Sequence, residues 1–177
     1  QFAMLPLQGL GQGAQPIISY NYGAKNAERV KKAFRLLLTA SLCYSVTLWA
    51  LVMAVPQAFV MMFNTNEALV SYTIPALRIY LGALLLFGIQ VACQMTFTSM
   101  GNALASVIVA VVRKFVLLLP LIYIMPLIFT ADKATAVFMA EPVADTIAVL
   151  FTAILFFFQF RRFMSKMNAA DKEKTNT

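Results

Sequence analysis

Apolar residues fill the chain in five long runs, covering about 1–20, 33–63, 70–100, 104–129 and 134–160. Short polar connections separate them: Asn21–Lys32, Asn64–Ser71, Gly101–Asn102 and Thr130–Lys133. A helix needs roughly 20 mostly apolar residues to cross about 30 Å of hydrocarbon. Barrel strands would alternate over about 10 residues, whereas these runs are continuous, so the pattern predicts five membrane-spanning α-helices. Asn66, Asn102 and Asp132 stand where they would cap the third, fourth and fifth helices. Asn21-Tyr22-Gly23 is expected to supply a left-handed stop after the first. Pro6 and Pro16, with Gly9, Gly11 and Gly13, predict a bent or locally unwound first helix whose glycines permit close packing.

Composition agrees with the pattern. Of 177 residues, 61% are hydrophobic and 12% charged, with a mean hydropathy of +0.79. Soluble domains carry about 25% charged residues, so the chain as a whole is neither a water-soluble enzyme nor a disordered tail. The net charge of +7 does not indicate nucleic acid, because the basic residues lie between apolar runs instead of forming one patch. No histidine is present, which removes imidazole metal sites, Ser-His-Asp triads and histidine proton shuttles. No cofactor is expected. Cys43 and Cys93 each sit in an apolar run and read as two lone buried thiols. Gly9-Leu-Gly11-Gln-Gly13-Ala14 fits the loose form of a dinucleotide fingerprint. It has no preceding strand and lies in a membrane run, so that reading fails.

The basic residues orient the helices. Lys25, Arg29, Lys31, Lys32 and Arg35 follow the first helix, and Arg161, Arg162, Lys166, Lys172 and Lys174 follow the fifth. With Arg113 and Lys114 read as anchors on the near part of the fourth, one side holds twelve of the fourteen cations, leaving Arg78 and Lys133. The positive-inside rule makes that side cytoplasmic, with the C-terminus on it. The expected location is the inner, cytoplasmic membrane, multi-pass, with the lipid bilayer as the surrounding partner. Residues 1–163 read as the helical bundle, and 164–177 as a solvated, partly disordered polar tail. The chain opens on Gln1 inside an apolar run, without a signal-peptide pattern, and is expected to be the C-terminal piece of a longer protein.

Polar side chains inside the bilayer are costly and need partners or a cavity. Glu141 and Asp145 are four apart and share a helix face. Counted at about 1.5 Å per residue from Ala134, Asp145 lies roughly 16 Å deep, near the mid-plane. Desolvation and mutual repulsion favour a protonated carboxyl in such a pair, which suits proton binding, and a carboxylate also attracts an organic cation. Arg78 or Arg113 could instead hold these carboxylates in structural ion pairs. Gln90, Gln94 and Thr98, at a spacing of four, form a polar stripe on the third helix that could line a cavity or bond to a neighbouring helix. Arg78, after Pro75, reads either as a cavity residue or as an interfacial side chain reaching for water.

Three stretches, in order, resemble one family. Gly9-Leu-Gly-Gln-Gly-Ala-Gln15-Pro16-Ile-Ile-Ser-Tyr-Asn21-Tyr-Gly23-Ala-Lys25 resembles the segment that ends the eighth helix of multidrug and toxic-compound extrusion (MATE) transporters. Thr98-Ser-Met-Gly-Asn102, with Val112-Arg-Lys-Phe and Leu119-Pro-Leu-Ile-Tyr-Ile-Met-Pro126, is similar to the join of the tenth and eleventh helices. Met139-Ala-Glu-Pro-Val-Ala-Asp-Thr146 resembles the twelfth-helix motif. The resemblance implies an all-α membrane protein of two six-helix lobes around a central cavity, of which this chain is helices eight to twelve. It further implies a missing N-terminal lobe as partner, and proton or sodium entry driving export of bulky, often cationic drugs. One branch of the family places a cation-binding carboxylate after an aromatic on the tenth helix. Here Gly88 follows Phe87, so the proton is the expected coupling ion. A related exporter or flippase of lipid-linked or polysaccharide precursors is the alternative. No nucleophile–base or metal constellation suggests an enzyme.

Overall fold

The computed structural model describes residues 4–63, 66–128 and 133–175, and the side chains among them up to Met167 except those of 133–135. Helix α1 is Leu5–Gly23, α2 is Ala27–Ala54 and α3 is the short Pro56–Met61. Helix α4, Glu67–Tyr80, runs through a 3-10 turn at Gly82–Leu86 into α5, Phe87–Ser99. Helix α6, Ala103–Val111, runs through a π-helical stretch at Val112–Leu118 into α7, Leu119–Ile128, and α8 is Lys133–Thr175. Among the described residues there is no strand.

Four helical stretches are long and apolar enough to cross a membrane: Ala27–Ala54, Glu67–Ser99, Ala103–Ile128 and Ala136–Met167. The first helix, expected as a fifth span, has 19 residues, about 28 Å at 1.5 Å per residue. Its hydropathy is lowered by Gln8, Gln12, Gln15 and Asn21. The fold leaves Phe63, Leu104, Tyr123 and Leu127 each more than 70% exposed. Water would penalise that surface, whereas hydrocarbon solvates it. The chain is an all-α, multi-pass membrane protein.

Several elements differ from the sequence expectation. The 33–63 run ends as a helix at Ala54, and Pro56 starts α3, because proline cannot continue the ladder and restricts the residue before it. The 70–100 run is broken in the middle by the 3-10 turn. Gly82 weakens the helix there, and the Leu85 carbonyl accepts a hydrogen bond from Ser45 Oγ on α2 at 3.1 Å. Helix α1 passes through Pro16 without unwinding. Of its glycines, Gly11 packs closely on Met95 of α5, while Gly9 and Gly13 face open space.

The left-handed residue after α1 is Lys25, at φ 58°, not the expected Asn21–Gly23 segment. Gly23 stays helical, and Asn21 is turned inward, donating Nδ2 to Ile17 O at 2.8 Å. The Lys25 amide reaches Tyr22 O at 3.0 Å and the Asn26 amide reaches Asn21 O at 2.9 Å, the paired bonds of a Schellman motif. Asn26 then caps α2 by accepting from the Arg29 amide at 3.1 Å. The α5–α6 corner repeats the device. Gly101 is left-handed at φ 75°, its amide reaches Thr98 O at 3.0 Å, and the Asn102 amide reaches Phe97 O at 2.9 Å. Asn102 caps α6 through the Ala105 amide at 3.3 Å, and Asn66 caps α4 through the Ala68 amide at 3.1 Å. Asp132 lies outside the described residues.

These corners gather at one end of the bundle. Ser19 Oγ donates to Ser99 O at 2.9 Å, joining α1 to the α5–α6 corner, and Asn102 Nδ2 donates to Gln159 Oε1 of α8. Phe34, Phe156 and Phe160 stack with centroids 4.6 and 4.9 Å apart, beside a core that includes Ile18, Val30, Leu37 and Phe97. Met164 and Met167 are buried in this same core, and α8 continues to Thr175, so the expected solvated tail does not begin at residue 164. Cys93 is buried, whereas Cys43, expected inside, is exposed on α2.

Candidate functional site

One cavity of about 730 Å³ opens between α1, α5, the π-helical stretch and α8. Helix α1 contributes Gln8, Gln12 and Gln15, spaced four and three apart on one face. Helix α5 contributes Gln90, Gln94 and Thr98. The π-helical stretch contributes Arg113 and Lys114, and α8 contributes Glu141 and Asp145. A set of glutamines thus lies along the walls, and four charged groups meet at one level.

The charged level is built around one ion pair. Arg113 Nε donates to Asp145 Oδ1 at 2.6 Å, with Asp145 only 6% exposed. The Arg113 guanidinium also lies over the Phe87 ring, 5.0 Å from its centroid, so one cation is held by a carboxylate and an aromatic face. The Tyr80 hydroxyl stands beside the Glu141 carboxylate. Pro142 sits between the two acids and has no amide to donate; its own carbonyl accepts from Thr146 Oγ1 at 2.7 Å.

The sequence explains why Arg113 reaches this point. Pro120 comes just after the π-helical stretch and cannot give an amide to the Val116 carbonyl. The proline ring crowds that carbonyl, and a widened turn relieves the crowding. Counted from the Asn102 corner at about 1.5 Å per residue, Arg113 lies roughly 16 Å into the bundle. It is therefore not the inner-face anchor its basic neighbourhood suggested, and neither is Lys114.

The Gln90–Gln94–Thr98 stripe divides its roles. Gln94 Nε2 donates to Ser106 Oγ of α6 at 3.3 Å, which is the cross-helix bonding expected of an intramembrane amide. Thr98 Oγ1 turns back to Gln94 O at 3.1 Å. Gln90 is 4% exposed, and its Oε1 is buried without a hydrogen-bond partner among the described residues. Such an orphan acceptor is costly and suits a donor group on a ligand.

Arg78 does not enter the cavity. Its Nη2 donates to Met53 O at 3.4 Å, tying α4 to the end of α2 on the exposed surface. Of the residues in the first motif, Gln15 lines the cavity, and Gly11 packs on Met95, a residue of its wall. Gln8, Gln12, Tyr80 and Lys114 are cavity residues that sequence reasoning did not single out as such, whereas Arg113 is, of the two ion-pair partners weighed for the carboxylates, the one that meets Asp145. Gln8 and Gln12 carried a usable signal, polar positions at helical spacing with Gln15. Tyr80 carried none, since only the packing of α4 on α8 brings it to Glu141.

An ion-paired polar cavity among helices with apolar outer faces defines a multi-pass membrane protein with a polar chamber. A family model described as MatE matches residues 1–124, and the chain belongs to this family of transporters. It is similar to multidrug export protein MepA of Staphylococcus aureus (strain NCTC 8325 / PS 47), 26% identical over 129 residues, 73% of this chain and 28% of that protein. MepA of Staphylococcus haemolyticus (strain JCSC1435) is 23% identical over 161 residues, 91% of this chain and 34% of that protein. Among solved structures, one of the MATE multidrug transporter DinF-BH superposes with a TM-score of 0.83 at 29% identity, over 92% of this chain and 36% of that one. A MATE crystal structure in the straight conformation gives 0.84 at 17% identity, over 93% of this chain and 36% of that one, a likeness of fold alone. The chain thus spans about a third of the length of the proteins it matches.

Proposed function

We propose that this chain forms most of the C-terminal lobe of a proton-coupled antiporter that exports drugs and toxic organic cations across the cytoplasmic membrane by alternating access. The observation that carries the proposal is the carboxylate pair in the cavity, Asp145 held by Arg113 and Glu141 beside Tyr80. An organic cation beside a carboxylate at about 4 Å gains about 4 kcal/mol at an effective dielectric of 20. A proton on the same carboxylate removes that attraction, so proton and drug compete for one site. Competition of this kind couples the two fluxes when a second lobe, on the N-terminal side, rocks against this one. Sodium is the weaker choice, because Gly88 occupies the place where a coordinating side chain would be expected. A Cβ there would meet Ser41 O at 2.6 Å. The basic end of the bundle, with the C-terminus, faces the cytoplasm in this account.

Arg113 and Lys114 favour a second reading. Two cations in the cavity suit an anionic head group, as in an exporter or flippase of lipid-linked or polysaccharide precursors. Glu141 and Asp145 balance them in number, which supports the first reading. Everted vesicles carrying the full-length protein, loaded with ethidium, distinguish the two. Dye movement driven by a proton gradient, and absent with sodium alone, is the expected result. No movement with either ion, in folded protein, overturns the proposal in favour of the second reading.

A further inference from the structure

A second cavity lies on the opposite side of α5 from the polar one. It has a volume of about 350 Å³ and is walled by Phe34, Leu38, Ile89, Cys93, Ala153 and Phe156, from α2, α5 and α8. Among the described residues, the only charged side chain on it is Arg161 at its rim, whose guanidinium lies over the Phe157 ring, 5.4 Å from the centroid. Lys31 is half-buried and stands one helical turn before Phe34 and two before Leu38, on the same face of α2. The slot runs inward from this end. From Phe34 to Leu42 it follows eight residues, about 12 Å at 1.5 Å per residue, close to one leaflet of a 30 Å hydrocarbon core.

An apolar slot about one leaflet deep, with Arg161 at its rim and Lys31 one helical turn beyond Phe34 on the same face of α2, has the shape and charge of a phospholipid reversed. We propose that this slot binds an anionic phospholipid, its acyl chain between α2, α5 and α8 and its phosphate against Arg161 and Lys31. The slot also fits the position of these cations. They stand at the end of the bundle where Lys32, Arg35, Arg162 and Lys166 gather, so an anionic head group meets a concentrated positive field there. The polar cavity and its ion pairs are on the other side of α5, so the lipid site is separate from the transport site.

The test uses full-length protein in nanodiscs of equal phosphatidylglycerol and phosphatidylcholine, released into native mass spectrometry. The wild type is expected to retain phosphatidylglycerol in preference to phosphatidylcholine. Each of Arg161→Gln and Lys31→Gln is expected to lower that retention about five-fold, the effect of one interfacial cation. Ala153→Phe fills the slot and is expected to abolish retention. Equal retention of the two lipids by the wild type overturns the proposal. So does unchanged retention in the two cation variants, which leave the apolar packing intact. A mass showing a second protein copy in place of lipid overturns it as well.

Discussion

Removing the charge of Asp145 tests how the cavity is held. Asp145→Asn keeps an oxygen that can accept from Arg113 Nε, so the geometry at 2.6 Å survives while the charge is lost. Hydrogen bonds to ionised groups contribute about 1.5–3 kcal/mol and neutral ones about 0.5–1.5. Breaking a fully buried ion pair costs about 3–5 kcal/mol, but the Arg113 side chain is 24% exposed and keeps its contact with Phe87. The expected destabilisation is therefore about 2 kcal/mol, below the buried-pair range. Arg113→Gln alone leaves Asp145 as a lone charge in a poorly solvated place and is expected to cost more. The double variant removes both charges and is expected to cost less than the sum, with a coupling energy of about 2 kcal/mol. SDS titration of the full-length protein in mixed micelles, followed by circular dichroism, measures all four species. A coupling below about 0.5 kcal/mol, the usual limit for independent sites, would refute the pairing.

Other expectations follow from local geometry. Gly88→Ala places a Cβ 2.6–2.8 Å from the Ser41–Leu42 backbone, so α2 and α5 must separate, at about 1–3 kcal/mol in the same titration; an unchanged midpoint would contradict that packing. Lys25→Gly relieves a left-handed residue at φ 58° and is expected to stabilise the α1–α2 corner by about 1 kcal/mol; a loss of stability would show that the lysine side chain holds the corner. Cysteines at Lys32 and Arg162, in a Cys43→Ala, Cys93→Ala background, are expected to react with a membrane-impermeant maleimide in inside-out vesicles only. Labelling from the outer face would reverse the proposed orientation.

The hydrophobic runs made the helices legible, because continuous apolar stretches have one solution in hydrocarbon. Their interruptions were less legible. The break at Gly82–Leu86 depends on a serine of α2 reaching the Leu85 carbonyl, a tertiary contact that no local pattern announces. The π-helical stretch before Pro120 had a local cause in the proline, yet its effect, turning Arg113 toward Asp145, depends on where α8 packs. Counting cations by side placed Arg113 and Lys114 at the membrane face, since the positive-inside rule cannot tell an anchor from a buried partner. The Glu141–Asp145 face and the Gln90–Gln94–Thr98 stripe were readable because helical spacing fixes which side chains share a face. Tyr80, which stands beside Glu141 across the cavity, belongs to a helix some sixty residues earlier in the chain.

The most direct test of the central claim is proton release on substrate binding. Purified full-length protein in a weakly buffered detergent solution is mixed with ethidium at a series of pH values, down to where the cavity carboxyls carry protons, and the released protons are counted with a pH-sensitive dye. If drug and proton compete for the cavity carboxylates, binding releases protons, and Glu141→Gln with Asp145→Asn abolishes the release. Ethidium binding without proton release at any pH, or undiminished release in the double variant, would contradict the account.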